Sequence, residues 1–255
     1  MKTEAAEKSI RRYGFPDTVR GVLILGMIAY HTLFDIALLW GWDMDRPLMK
    51  GANVMRDIGA ACFVFLSGFC FHLGRHNVRK GLLLSGAGLA ITGVTYLFDR
   101  EAFVVFGVLT LLGAAKLLLC VLDRPLRCIP ALPGCFISLV LFVLFFFCNY
   151  GYAGFYGFVL FRWPQFLYRN YVTAFFGFPF NGFASSDYFG FLPWFFICLC
   201  GYFTFLAAYG KHYSSKVISF RIPFFADVGR YSLYVYLLHQ PVIYFLVFAT
   251  KKWLL

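Results

Sequence analysis

The stretch RGVLILGMIAYHTLFD, residues 20–35, decides the fold. A run of about 20 predominantly apolar residues is the length that an α-helix needs to cross a bilayer. This run nevertheless carries Arg20, His31 and Asp35. An ionisable side chain at the bilayer centre costs about 3 kcal/mol, so such groups usually face the interior of a helix bundle and serve a function. The stretch therefore predicts a membrane span with a polar site inside it.

The whole chain has the composition of a membrane protein. Of its 255 residues, 61% are hydrophobic and only 14% are charged, whereas a soluble domain averages about 25% charged residues. We predict an all-α fold, a polytopic transmembrane helix bundle of about seven or eight spans. It forms a single integral membrane domain, 1–255, in which residues 1–18 are a polar N-terminus.

Seven apolar runs have the length of a span. They are 19–41, 57–74, 80–98, 103–122, 130–149, 189–209 and 229–250. Between the fifth and the sixth, residues 151–188 are aromatic and interrupted by Gly and Pro. This segment is either a re-entrant element, an interfacial element or a short eighth span.

The basic residues indicate an orientation rather than a nucleic-acid partner. The net charge is +11, but the Lys and Arg residues lie in short loops and form no basic face. Fourteen of them fall on the side of the N-terminus, and eight, among them Arg46, Arg56 and Arg100, fall on the other side. By the positive-inside rule the N-terminus is predicted to be cytoplasmic. The loop histidines His72 and His76 are predicted to be solvated.

His31 and Asp35 are the first candidates for chemistry. His31 follows Arg20 by 11 residues, about 16 Å along a helix, and Asp35 lies one turn further on the same face. An Asp beside a His can fix its tautomer and stabilise its charged form. The alternative is a histidine that is hydrogen-bonded within the bundle, with Asp35 near the far interface.

The residues around Arg20 have a structural and a functional interpretation. Asp17 precedes Arg20 by three residues, as a helix N-cap or an ion-pair partner would. Gly21 allows another backbone to approach closely. The eight cysteines include no CxxC and no Cys/His spacing of a zinc site, so we expect no metal.

Five stretches resemble a known family, in order along the chain. The spacing from Arg20 to His31 is similar to that of acyltransferase-3 membrane enzymes. The sharper resemblance is to the heparan-α-glucosaminide N-acetyltransferase catalytic domain family and its bacterial homologues. The stretches are DTVRGVLILGMIAYHTLFD (17–35), FVFLSGF (63–69), FGVLTLLGAAKLL (106–118), DYFGFLPW (187–194) and GRYSLYVYLLHQPV (229–242). The third has Thr110 where the family often has His.

The resemblance implies a membrane-bound acyltransferase. It would move an acetyl group from acetyl-CoA, its co-substrate, to an amine or hydroxyl of a sugar or glycan. His31 would be the base or a transient acyl carrier, with Asp35 beside it. The expected location is a bacterial cell membrane, and the expected partners are acyl-CoA, the glycan acceptor, the lipid bilayer and a second copy in a homodimer.

Two further groups of residues complete the predicted site. The residues assigned to acyl-CoA binding, or alternatively to structure and topology, are Arg20, Asp17, Arg75, Arg79 and Lys80, because guanidinium and ammonium groups hold phosphates. The cavity or substrate residues are Asp187, Tyr188, Trp194, Tyr236, His239 and Gln240. Asp187 is otherwise a helix N-cap within an aromatic belt, and His239 otherwise caps carbonyls freed by Pro241.

Two rival functions remain open at the level of sequence. The first is a proton-coupled transporter or flippase of a sugar or lipid-linked substrate, with His31 and Asp35 as a proton relay. The second is a membrane scaffold without enzymatic activity, in which His31, Asp35 and His239 tolerate substitution.

Overall fold

The computed structural model describes residues 14–43, 46–98, 103–155, 158–209 and 219–254. Within these ranges the chain forms nine α-helices: α1 (Gly14–Leu39), α2 (Pro47–Phe69), α3 (Asn77–Phe98), α4 (Val108–Leu126), α5 (Ala131–Phe145), α6 (Tyr171–Phe176), α7 (Phe191–Tyr209), α8 (Pro223–Arg230) and α9 (Ser232–Leu254). Two short strands, β1 (Tyr152–Phe155) and β2 (Phe158–Arg162), form an antiparallel hairpin. Residues 1–13 of the predicted N-terminus, Arg100 and His212, which is a loop residue by its sequence position, lie outside the described residues.

Six helical segments of the described chain are long and apolar enough to cross a membrane. They are α1, α2, α3, α7, Ser232–Trp253 of α9, and Ala131–Tyr150, which extends α5 by the turn after it. The prediction of an all-α polytopic fold is thereby confirmed. Helix α4 corresponds to the predicted span 103–122, but it carries Lys116, Asp123 and Arg124 and is not one of the six.

The bounds of two spans differ from the sequence prediction. Helix α1 begins at Gly14, so the last five residues of the predicted polar N-terminus are helical. Helix α2 begins at Pro47, ten residues before the predicted start of its span. Its first turns carry several polar side chains, so the search for an uninterrupted apolar run missed them.

The segment 151–188 contains no helix of spanning length among its described residues. It begins with the β1–β2 hairpin, which has an irregularity between Ala153 and Gly154. Asn170 then caps the short helix α6 by accepting hydrogen bonds from two backbone N–H groups, and Gly177 ends the helix at φ +117°. A short eighth span is therefore not found here, and the re-entrant and interfacial alternatives stay predictions.

The chain divides into two compact units. The first comprises residues 1–63 and 213–255, and the second comprises residues 64–212, so that the boundary falls within α2. The prediction of a single functional domain over residues 1–255 stays a prediction.

In the first unit, glycines allow α1 and α8 to touch backbone to backbone. A Cβ atom on Gly21 would lie 1.9 Å from the carbonyl oxygen of Phe225, and one on Gly229 would lie 1.8 Å from that of Asp17. The hydroxyl of Thr18 also accepts a hydrogen bond from the backbone N–H of Ile222, at 3.2 Å. The predicted close approach at Gly21 is thus confirmed.

In the second unit, small residues set the crossing of α3 and α4. A Cβ atom on Gly88 would lie 2.4 Å from the Thr110 hydroxyl oxygen, and one on Gly113 would lie 2.3 Å from that of Ser85. Thr110, the position where the family often has His, is therefore a packing residue at this crossing.

Candidate active site

Helices α1 and α9 bring two histidines together. The ring centroids of His31 and His239 lie 5.0 Å apart, with an angle of 58° between the ring planes. His239 is buried, at 9% exposure, and the Tyr236 ring lies 5.3 Å from its centroid. The sequence predicted all three residues as site residues, and the fold places them in one cluster.

The tautomer of His239 follows from its hydrogen bond. Its Nδ1 lies 2.6 Å from the carbonyl oxygen of Tyr236. A carbonyl oxygen only accepts, so Nδ1 carries the hydrogen and donates it. In the neutral ring, Nε2 therefore holds the basic lone pair. The bond also shows that His239 caps the Tyr236 carbonyl of its own helix. The carbonyl that lacks its usual donor is the next one, that of Leu237, because Pro241 has no N–H.

Asp35 has a different partner from the one that its spacing suggested. Its two carboxylate oxygens each accept a hydrogen bond from the Gln240 side-chain nitrogen, both at 3.2 Å. The carboxylate is almost fully buried, at 2% exposure. Among the described residues no hydrogen bond joins Asp35 to His31, so the catalytic role of Asp35 stays a proposal.

Two neighbouring polar atoms on α9 are buried without a hydrogen bond. They are Nε2 of His239 and Oε1 of Gln240. Leaving a buried acceptor unsatisfied costs about 1–3 kcal/mol, and native proteins keep few such atoms. Both atoms belong to the cluster that contains His31 and Asp35. The cluster therefore has unused acceptors that a bound molecule with N–H or O–H groups can satisfy.

The predicted ion pair at the start of α1 is formed. Arg20 Nη1 donates to the Asp17 carboxylate at 2.9 Å, and Asp17 is buried in the first turn of the helix. The Arg20 side chain is 28% exposed. Asp17 therefore has a structural role, while part of the Arg20 guanidinium stays accessible.

The sequence interpretation missed a polar face on α2. The prediction that Arg56 is a loop residue is wrong, because Arg56 lies nine residues after the start of α2. Its Nη1 donates to the hydroxyl of Tyr30 at 3.2 Å, and that hydroxyl donates to Oδ1 of Asn53 at 2.9 Å. Asn53, Arg56 and Asp57 have the spacing i, i+3, i+4, which places them on one face. That spacing was visible in the sequence.

The remaining predicted site residues belong to the second unit. Arg75, Arg79 and Lys80 are exposed at and after the loop that leads into α3. Their contact with acyl-CoA stays a prediction.

The stretch 187–194 leads into the first turn of α7 and contacts α5 and α6 of the same unit. Asp187 stands four residues before the first residue of α7, too far for its N-cap. The Tyr188 hydroxyl donates to the Ala174 carbonyl at 2.5 Å, and burial raises its pKa. Trp194 packs against Phe142, Phe146 and Phe189. The proposed substrate roles of Asp187, Tyr188 and Trp194 remain untested by these contacts.

His72 is half-buried among aromatic rings rather than solvated as predicted. Its ring packs on Tyr202 and Phe205, with centroid distances of 4.4 and 5.0 Å, and its Nε2 is buried without a hydrogen bond. Burial, reinforced by the positive charge of Arg127, lowers the pKa of His72 to about 4. Within the described ranges, no group of three or more His, Cys, Asp and Glu side chains has an arrangement that could hold a metal ion.

One family profile matches most of the chain. It is described as heparan-alpha-glucosaminide N-acetyltransferase, catalytic, and the match covers residues 12–241. The matched range includes α1 with His31 and the part of α9 that carries His239 and Gln240. No curated protein and no solved structure matches the chain.

Proposed function

Because the chain belongs to the heparan-alpha-glucosaminide N-acetyltransferase catalytic family, we propose that it is a membrane acyltransferase that uses acetyl-CoA. It transfers the acetyl group to an amine or hydroxyl of a sugar or glycan. The observation that carries this proposal is the pairing of His31 with His239 between two helices that are apolar enough to span a membrane.

His31 is the proposed base. Acetyl transfer requires the acceptor nitrogen or oxygen to lose a proton as it attacks the carbonyl carbon of the thioester, and a neutral imidazole is suited to take it. The carbon–sulfur bond then breaks, the CoA thiolate leaves, and the proton passes from the imidazolium to that thiolate. No hydrogen bond to a His31 ring nitrogen is found among the described residues, so the ring is available for this exchange.

His239 and Gln240 are the proposed partners of His31. The lone pair on His239 Nε2 accepts a hydrogen bond from the acceptor group or from protonated His31. The Gln240 amide nitrogen holds the Asp35 carboxylate, so the amide oxygen is fixed in place and can accept from the same substrate. Asp35 thus acts as a positioning residue, through Gln240.

The acyl donor is proposed to enter from the side of the N-terminus, in the cytoplasm of a bacterial cell. The part of the Arg20 guanidinium that Asp17 leaves accessible is available for a phosphate of CoA. Arg75, Arg79 and Lys80, which are exposed in the second unit, are the alternative set of proposed phosphate contacts. A homodimer is the proposed assembly.

The test uses purified protein in nanodiscs with acetyl-CoA labelled in the acetyl group, first without an acceptor and then with a panel of amino sugars. Wild type is compared with His31→Ala and with the control His76→Asn. The control replaces a histidine of the second unit that stands at φ +56°, a conformation that Asn tolerates. We expect slow hydrolysis without acceptor and transfer with it, both lost in His31→Ala and kept in His76→Asn.

The outcomes separate the mechanisms. Label that stays covalently on the wild-type protein but not on His31→Ala would replace the base mechanism by an acyl-histidine intermediate. Equal activity in wild type and His31→Ala would contradict the assignment of His31. If no acyl-CoA is bound or consumed at all, the proposed activity is wrong.

A further inference from the structure

A polar face on α2 lies beside the proposed catalytic histidine. Asn53, Arg56 and Asp57 share this face, in a helix that is otherwise apolar enough to cross a membrane. Nine residues separate Arg56 from the start of α2, which is about 14 Å along the helix. A guanidinium group at that depth is costly unless it faces protein or water, and it usually marks a functional site.

Tyr30 connects this face to the active site. The Arg56 guanidinium lies over the Tyr30 ring, 5.6 Å from its centroid, and donates to the Tyr30 hydroxyl. The Tyr30 ring in turn contacts that of His31 edge-on, at 5.2 Å between centroids. A molecule bound on the α2 face is therefore one aromatic ring away from the proposed base.

Several hydrogen-bonding atoms of this face are not used by the protein. Three of the five N–H groups of Arg56 are engaged, two with Oδ1 of Asp57 and one with Tyr30, which leaves two. Asn53 uses its amide oxygen as an acceptor, and among the described residues neither its amide nitrogen nor Oδ2 of Asp57 has a hydrogen bond. Arg56 and Asp57 are also accessible, with 48% and 32% of their side chains exposed.

The charges and the mixture of donors and acceptors indicate the ligand. Arg56 and Asp57 form a salt bridge at 2.8 Å, so the face as a whole is neutral and holds no net attraction for an anion. Donors from Arg56 and Asn53 stand beside the acceptor of Asp57. Vicinal hydroxyl groups, each of which both donates and accepts, match such a set.

We propose that Asn53, Arg56 and Asp57, ordered by Tyr30, form the subsite that binds ring hydroxyls of the acceptor sugar and holds its amine against His31. This inference rests on the proposed function, since it assigns a binding site to the acceptor of that same reaction. Its residues lie in the first compact unit, as do His31 and His239.

The experiment compares glucosamine with its 3-deoxy, 4-deoxy and 6-deoxy analogues as acceptors. A hydrogen bond to a charged group is worth enough that losing it lowers kcat/KM about ten- to a hundredfold. We expect a penalty of that size for at least one deoxy analogue with the wild-type enzyme. In Arg56→Gln or Asn53→Ala, glucosamine should lose activity through a raised KM, and the same deoxy analogue should then show a penalty of less than about threefold.

Arg46→Gln is the matched control. Arg46 also lies over an aromatic ring, that of Trp42, at 5.9 Å, but it stands one residue before α2 and ten residues before Arg56. This variant should keep both the activity and the full deoxy penalty. Tyr30→Phe keeps the ring and removes the hydroxyl that orders Arg56 and Asn53, so it should reduce the penalty only in part.

Each result decides between the two proposals. A deoxy penalty that persists in Arg56→Gln and Asn53→Ala, or that is absent for every analogue in the wild type, overturns the subsite. Consumption of acetyl-CoA that depends on His31, without binding or acetylation of glucosamine, also overturns the sugar subsite but leaves the acyltransferase intact. Absence of any binding or consumption of acyl-CoA refutes the proposed function itself.

Discussion

The α1–α9 pair and the aromatic segment 148–188 use polar side chains in opposite ways. In the segment, the Tyr168 and Tyr188 hydroxyls donate to the carbonyls of Cys148 and Ala174, both at 2.5 Å, and the Cys148 thiol donates to the carbonyl of Gly177 at 3.1 Å. Only Nε1 of Trp163 is left buried and unpaired among the described residues there. In the α1–α9 pair, His239 and Gln240 each keep an unpaired acceptor beside a second histidine.

The difference separates polar atoms that stabilise the fold from polar atoms that are available to a ligand. A side chain that donates to a distant backbone carbonyl fixes two parts of the chain together, here at the Cys148 and Ala174 carbonyls, which also accept from the Gly151 and Gly177 N–H groups. A buried acceptor without a partner lowers stability, so its presence calls for another explanation. Substitutions in the two regions should therefore change different measured quantities.

The largest expected effect is that of His239→Ala. Removing a group that exchanges a proton or orients the base typically costs 10²- to 10⁴-fold in rate, and we expect kcat/KM for acetyl transfer to fall by at least about a hundredfold. The melting temperature in nanodiscs should fall only modestly, because the ring makes one hydrogen bond, from Nδ1 to the Tyr236 carbonyl, and Nε2 makes none. A large fall in melting temperature with unchanged kcat/KM would place His239 with the structural group.

Gln240→Met should affect both activity and stability. The substitution keeps the approximate volume but removes the two bonds to the buried Asp35 carboxylate. An unpaired buried acceptor costs about 1–3 kcal/mol, so the free energy of unfolding should fall by about 2 kcal/mol and activity by about tenfold. The double variant with Asp35→Leu should recover most of the stability and none of the activity. Failure to recover it would show that the two residues are not coupled.

Tyr188→Phe should affect stability alone. Loss of one hydrogen bond to a backbone carbonyl costs about 1 kcal/mol, and the Ala174 carbonyl keeps the bond that it accepts from the Gly177 N–H. We expect a lower melting temperature and a kcat/KM within about twofold of wild type. A fall in kcat/KM beyond tenfold without a change in melting temperature would instead support the substrate contact that the sequence suggested for Tyr188.

The smallest expected effect is that of His72 on the pH dependence of the free energy of unfolding. Its pKa is about 4 in the folded protein and has a reference value of 6.5. Between these values the unfolded chain binds more protons than the folded protein, so the free energy of unfolding should rise as the pH rises from about 4 to 6.5. Above pH 6.5 the contribution of His72 should be complete. His72→Phe keeps the stacking on Tyr202 and Phe205 and should flatten this dependence of the melting temperature. An unchanged slope would assign it to other groups.

The local sequence pattern was sufficient to predict the main features of α1. Its apolar length, the Asp17–Arg20 ion pair and the contact at Gly21 all depend on neighbours within one or two turns or on the size of one side chain. Local pattern could not predict the contacts of the cluster around His31. Asp35 lies one turn from His31, yet it bonds to Gln240, because a buried carboxylate takes the best-placed donor rather than the nearest residue in sequence.

The polar face of α2 was not predicted from the sequence, for a related reason. The predicted span 57–74 follows an apolar run, and the polar residues before that run have the composition of a loop. Spacing at i, i+3 and i+4 would have identified Asn53, Arg56 and Asp57 as one face of a longer helix. Their proximity to His31 depends on how α1 and α2 pack, which no local pattern specifies.

The bond between Asp35 and Gln240 joins residues 205 positions apart, and this separation bears on how the protein is made. Ribosomes add roughly 5–20 residues per second, so the first span waits for roughly 10–40 s before the last one exists. Throughout that time His31 and Asp35 lack the partners that α9 provides. The nascent chain therefore needs the insertion machinery, or water within it, to shelter the polar side of its first helix until synthesis is almost complete.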